Sequence, residues 1–98
     1  MPVTFYRTFL RPSTEVEFPE DSAEFTQFVL DTYVSTNECL EHRTATYSAD
    51  NLIKTTKSVW KDQATFDAAL SSPIWQENID FISSYTSLNN ILIYYWVE

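Results

Sequence analysis

The stretch 52–85 constrains this chain most. Its first nine residues, Leu-Ile-Lys-Thr-Thr-Lys-Ser-Val-Trp, carry β-favouring types at a spacing that predicts a strand ending on Trp60. Asp62 stands where a helix N-cap belongs, ahead of a helix that turns Phe66, Ala69 and Leu70 inward. Ser72-Pro73 then repeats the cap-then-proline order of a helix start, so a break and a second, longer helix follow. Ile74, Phe81, Tyr85 and Leu88 fall on one side of that helix, and Trp75, Ile79 and Ile82 on an adjoining side. This apolar arc is wider than a surface helix needs. A strand followed by two inward-facing helices requires a sheet to pack against.

The remaining segments supply one. Residues 3–10 alternate as a strand, with Val3, Phe5, Arg7 and Phe9 on one face and Thr4, Tyr6, Thr8 and Leu10 on the other. Pro12 closes it, and 13–20 form a loop. Asp21 or Ser22 caps a helix, Asp21 with Glu24 having the spacing of a capping box. Phe25, Phe28, Val29, Thr32 and Tyr33 recur at helical intervals, and the helix is expected to end near Thr36-Asn37. Residues 39–49 and 52–60 read as strands joined by a tight hairpin at Asp50-Asn51. A two-residue loop would put Glu41 opposite Trp60 and His42 opposite Val59, with His42 and Trp60 on opposite faces. Asn89-Asn90 turns the chain into a last strand, 91–97, apolar on both faces. In a chain this short helices cover one face only, so a second copy of the sheet is the expected cover for the other.

Composition excludes several function classes. The 98 residues form one domain, 1–98, and 44% apolar content is enough for a packed core. A formal charge of −8 repels phosphate backbones and anionic lipid, so neither nucleic acid nor membrane is an expected partner. The chain contains no glycine, which removes the phosphate-cradling loops of nucleotide-binding proteins. Cys39 is the one cysteine, flanked by acids rather than cations, and reads as a small buried residue of a cytoplasmic protein. One histidine and one cysteine make no metal-ligand set, and no metal or other cofactor is expected.

The order β-α-β-β-α-β with a central hairpin is the ferredoxin-like α+β arrangement, a four-stranded antiparallel sheet with helices on one face. At Lys57-Ser-Val-Trp-Lys-Asp-Gln-Ala-Thr-Phe, and again at Ala69-Leu-Ser-Ser-Pro, the sequence resembles the antibiotic-biosynthesis-monooxygenase-like group of dimeric α+β barrels. The resemblance spans nearly the whole chain. It implies a homodimer in which two sheets close on each other. The group includes cofactor-free quinone-forming monooxygenases, haem-degrading enzymes and small proteins without assigned activity. The haem-degrading members resemble this chain at Trp60, but they also use an Asn on the first strand and a His on the helix after the break. Here the first strand offers Phe5, Tyr6 and Arg7, the only histidine is His42, and the helix carries Asn78 or Ile79. Haem degradation is therefore not expected.

Arg7 stands out on physical grounds. It lies between two phenylalanines on a face that should be core, and a buried guanidinium must be paired. It is either an anchor for a ligand carboxylate or oxyanion, or a partner of Glu41 or another acid. His42 has the titration range of a general base, but its neighbours Glu41 and Arg43 should face away from it. Phe28, Tyr33, Trp60, Phe66, Trp75, Phe81 and Tyr85 either line a cavity or fill a core. With no catalytic constellation beside them, the expected function is binding of an apolar, fatty-acid-like molecule between sheet and helices. Those aromatics and Arg7 are the candidate site. The alternative is a cofactor-independent monooxygenase acting on an aromatic or polyketide-like substrate, with Tyr33, Tyr85 or His42 handling protons.

Overall fold

The computed structural model describes all residues, Met1–Glu98. Four strands, β1 (Val3–Leu10), β2 (Cys39–Tyr47), β3 (Ile53–Trp60) and β4 (Leu92–Val97), form one antiparallel sheet in the order β2-β3-β1-β4. With helices α1 (Ala23–Val29), α2 (Gln63–Leu70) and α3 (Pro73–Leu88) this is the expected ferredoxin-like layout.

Local chemistry sets the helix starts. Ser22 Oγ accepts from the Phe25 amide at 3.1 Å and caps α1, Asp62 Oδ1 accepts from Thr65 at 2.8 Å, and Ser72 Oγ accepts from Trp75 at 3.3 Å with Pro73 at the first helical position. Of the two residues proposed to cap α1, Ser22 does so, which leaves the Asp21 carboxylate for another use. After Val29 the helix widens into one π-helical turn, Leu30–Val34, where the β-branched Thr32 and Val34 are weak helix formers.

Alternation holds along β1: Val3, Phe5, Arg7 and Phe9 are all buried beneath the helices. The main core joins Phe5, Phe25, Val29, Cys39, Trp60, Phe66, Ala69 and Trp75. The opposite face of the sheet has no protein over it. There Tyr6 and Trp96 stack with centroids 5.0 Å apart, beside Leu92 and Tyr94, while Lys57 pairs with Glu41 at 3.4 Å on the β2–β3 side.

Two expectations need correction. The hairpin register holds from Tyr47↔Lys54 to Thr44↔Lys57, but a bulge at His42-Arg43 then shifts it so that Val59 faces Glu41, and a second irregularity between Glu41 and Cys39 puts Trp60 opposite Cys39. Four residues have positive φ; three are asparagines, which tolerate it, and the fourth is Arg43 at φ 52°. That conformation swings Arg43 under the helices and brings His42 to the same side, 6.4 Å from the Phe25 ring, not opposite to Trp60. On α3 the buried line is Trp75, Asn78, Ile82 and Thr86, whereas Phe81 is 55% exposed and Leu88 83%. The helix is rotated to bring Asn78, not its widest apolar side, against the start of α1.

Candidate functional site

The bulge and the helix rotation converge on one cluster. Arg7 projects from the middle of β1 and binds Asp21 through both arms of its guanidinium, at 2.7 Å and 3.0 Å. Asn78 donates to the same carboxylate at 2.8 Å and accepts the Ser22 amide at 2.9 Å, tying α3 to the α1 entry. Arg43 reaches Asp21 from the bulge, its Nε 3.2 Å from Oδ2 but outside hydrogen-bond alignment. The Arg43 guanidinium lies 5.3 Å from the Phe25 ring centroid and 5.5 Å from that of Trp75, within reach of cation–π attraction.

Two guanidiniums thus share one carboxylate in a buried setting. Arg43 Nη1 has no hydrogen-bond partner, nor does His42 Nδ1. Burial pulls the Arg43 pKa down to about 10, with Arg7 pushing the same way and the Asp21 carboxylate opposing both. Burial alone would raise the Asp21 carboxyl, but the charges and hydrogen bonds of Arg43, Arg7 and Asn78 hold it far below the usual carboxylate range. His42 is lowered to about 4, first by burial and then by Arg43, so it is neutral at physiological pH. The Cys39 thiol is pushed up by burial and stays protonated.

This cluster borders open space. An inner cleft of about 290 Å³ is lined by Arg7, Asp21, His42, Arg43, Lys54 and Thr56, together with Pro19, Glu20, Thr26 and Ala45. It adjoins an outer cleft of about 650 Å³ between the 17–23 segment, α3 and the hairpin, and the two share Pro19, Glu20, Asp21 and Lys54. Phe18, Tyr47, Phe81 and Tyr85 give the outer cleft its aromatic surface. The Tyr85 hydroxyl donates to the Glu17 carbonyl at 2.7 Å, which holds the loop beside it. Four of the chain's six cationic side chains, Arg7, Arg11, Arg43 and Lys54, line this pair of clefts. Three carboxylates, Glu17, Glu20 and Asp21, line them as well, which leaves the clefts with an excess of one positive charge in a protein of net charge −8.

The sequence-named residues divide into two groups. Arg7 lies in the inner cleft, Phe81 and Tyr85 in the outer one. Phe28, Tyr33, Trp60, Phe66 and Trp75 pack on one another instead: Tyr33 is 5.3 Å from Trp60, which is 5.9 Å from Phe66 and 5.6 Å from Trp75, and Phe28 is 5.7 Å from Tyr33. Neither cleft reaches this cluster, and Trp60 is 1% exposed. Glu41, weighed as a partner of Arg7, pairs with Lys57 on the other face. Sequence reading missed Asp21, Arg43, Lys54 and Asn78. The signal for Asp21 was available: a buried Arg7 demands an acid, and Ser22 alone suffices as the cap. No local pattern announces the bulge that carries Arg43. No group of His, Cys, Asp and Glu has the arrangement of a metal site, and no helix is long and apolar enough to cross a membrane.

Neither a protein-family profile nor a curated protein sequence matches this chain. Solved structures do. SnoaB, a cofactor-independent oxygenase from Streptomyces nogalater, superposes in two crystal structures with TM-scores of 0.68 and 0.65 at 16% identity, over 99% of this chain and 90% of that one. Rv0793 from Mycobacterium tuberculosis matches at 0.61 and 15% identity over 100% and 93% of the two chains. An antibiotic biosynthesis monooxygenase matches at 0.58 and 12% identity over 100% and 96%. At such identities the likeness is one of fold, and the fold is the antibiotic-biosynthesis-monooxygenase-like one that the sequence resembles.

Proposed function

We propose that this chain is a cofactor-independent oxygenase that binds an electron-rich aromatic or polyketide-like molecule in the inner cleft and works as a homodimer. The observation that carries the reading is the surplus buried cation, Arg43 with a free Nη1, beside a neutral His42 with a free Nδ1. The fold shared with a cofactor-independent oxygenase supports it.

The chemistry follows from spin and charge. Ground-state dioxygen is a triplet and reacts slowly with closed-shell organic molecules unless they can give up one electron, which an anion does more readily. A site without cofactor must therefore make the substrate anionic. The His42 imidazole, which lines the cleft, takes a proton from an activated CH₂ group, and the developing negative charge is met by Arg43 and Arg7. An imidazole with a pKa of about 4 is a weak base, so the arginines must supply most of the acidification. The carbanion passes an electron to dioxygen, a C–O bond forms, and the protonated peroxide loses water to leave a carbonyl. CH₂ and O₂ become C=O and H₂O, with the substrate as sole reductant.

The test is oxygen uptake by chelator-treated protein supplied with dithranol, a dihydroxyanthrone carrying such a CH₂. Uptake above the protein-free rate, with one O₂ consumed per quinone formed, is the expected result. A second reading, non-catalytic binding of an apolar or fatty-acid-like molecule, is favoured by Phe18, Tyr47, Phe81 and Tyr85 in the outer cleft. No uptake above the protein-free rate, with the probe nonetheless bound, would select it. Ligand contact by Phe28, Tyr33, Trp60, Phe66 or Trp75 would require their cluster to open.

The homodimer part rests on the uncovered sheet face. Leu92, Tyr94 and Trp96 are each at least 40% exposed along one edge, beside Tyr6. A contiguous aromatic face of this kind is costly to leave in water, and a second copy of the same face covers it isologously. Light scattering at micromolar concentration should give twice the chain mass of 11.5 kDa. A monomer would remove the paired sheets and leave the cleft proposal standing.

A further inference from the structure

Lys54, like Arg11, is a cation of the clefts that the oxygenase chemistry does not use. It extends from β3 on the helix side, opposite Phe9 on one neighbour strand and Tyr47 on the other. It lines both clefts where they meet. Its ammonium takes part in none of the ion pairs of the protein, which engage Arg7, Arg43 and Lys57. Glu20 and Asp21 share the lining, yet Asp21 is committed to the arginines and Glu20 stays beyond ion-pair distance of Lys54. Arg11, the other outer cation, is occupied: it donates to the Asn51 and Val16 carbonyls and covers the Phe18 ring at 4.1 Å. Lys54 is thus left with an aromatic neighbour, its Nζ 6.0 Å from the Tyr47 ring centroid, and no counter-ion.

We propose that the outer cleft holds the acidic end of a flat aromatic carboxylate, with Lys54 as its counter-ion. This deepens the oxygenase reading and rests on it for the role of the inner cleft. The aromatic body lies among Phe18, Tyr47, Phe81 and Tyr85, walls of the kind small-molecule sites use, and the carboxylate reaches the ammonium at the junction. The rest of the molecule passes inward to Arg43 and His42. A half-buried lysine is a point charge that accepts a carboxylate from several directions, so it selects for charge more than for shape. Neutral relatives of the same outline should fit the walls and forgo the ion pair.

Calorimetric titration at low ionic strength with 2-naphthoate and its uncharged counterpart 2-naphthamide tests this. The expected result is naphthoate bound at least tenfold more tightly, a preference abolished in Lys54→Met and retained in Lys54→Arg, with naphthamide affinity unchanged throughout. Equal affinities, no binding of either probe, or a preference that survives Lys54→Met would overturn the proposal. The arginine variant guards against misreading a folding defect. Loss of the naphthoate preference with dithranol oxidation intact would refute this anchor alone. A preserved preference without oxygen uptake would refute the oxygenase reading alone.

Discussion

Asp21→Ala should lower the unfolding free energy by about 3–5 kcal/mol, the usual cost of stripping the partner from a buried ion pair. Asp21 is the only carboxylate in contact with two buried guanidiniums, and it also accepts the Asn78 amide. Without it Arg7 and Arg43 face each other with no shared counter-charge. Against a total of about 5–15 kcal/mol for a domain of this kind, the loss is large enough to be read directly from a urea titration. A change below about 1 kcal/mol would mean that the cluster is hydrated and weak.

Acid should act in the same direction. The folded Asp21 carboxyl ionises well below its ordinary value of 3.8, so its contribution is complete above that pH and fades as pH falls beneath it. His42, lowered from 6.5 to about 4, binds its proton more readily in the unfolded chain, so its contribution is present above 6.5 and is lost as pH falls from there to about 4. Stability should therefore decline in two stages on acidification, and Asp21→Ala should retain the upper stage and lack the lower one.

The architecture was largely readable because its signals are local. Alternation in residues 3–10, the caps at Ser22, Asp62 and Ser72, and Pro73 at a helix start each act within a few residues of where they stand. The site was much less so, because its parts meet across long separations. Asp21 and Asn78 are 57 residues apart, and Arg7 and Thr56 49 apart. Arg43 depends on a bulge in which a non-glycine residue accepts positive φ, a conformation whose cost is met by tertiary bonds that no local pattern displays. The wide apolar arc on α3 left the helix rotation undetermined, and a buried asparagine settled it: Asn78 is held by Asp21 and the Ser22 amide, so Phe81 is turned out to the cleft. Trp60, the residue by which the family resemblance is most visible, is core.

Arg43→Met should separate folding from function. Its removal leaves Arg7 and Asp21 as a balanced, doubly hydrogen-bonded pair, and methionine fills much of the space among Phe5, Phe25 and Trp75. Because Asp21 keeps Arg7, the substitution strands no buried charge, and stability should change by less than about 1.5 kcal/mol. Function should not survive as well. With the surplus cation gone, the inner cleft no longer favours an anion, and loss of a donor to a developing charge costs about 100- to 1000-fold in rate. Dithranol-dependent oxygen uptake should fall by about that factor while the urea midpoint barely moves.

The central claim is that the buried arginines make a bound molecule give up its proton, and this can be watched without the oxygen chemistry. Dithranol bound to the protein under anaerobic conditions is titrated with pH and followed by absorbance. The account predicts that the bound molecule ionises at least one pH unit below the free one, a shift worth about 1.4 kcal/mol, and that Arg43→Met returns it to the free value. A bound molecule that ionises at the same pH as the free one, or higher, would contradict the account.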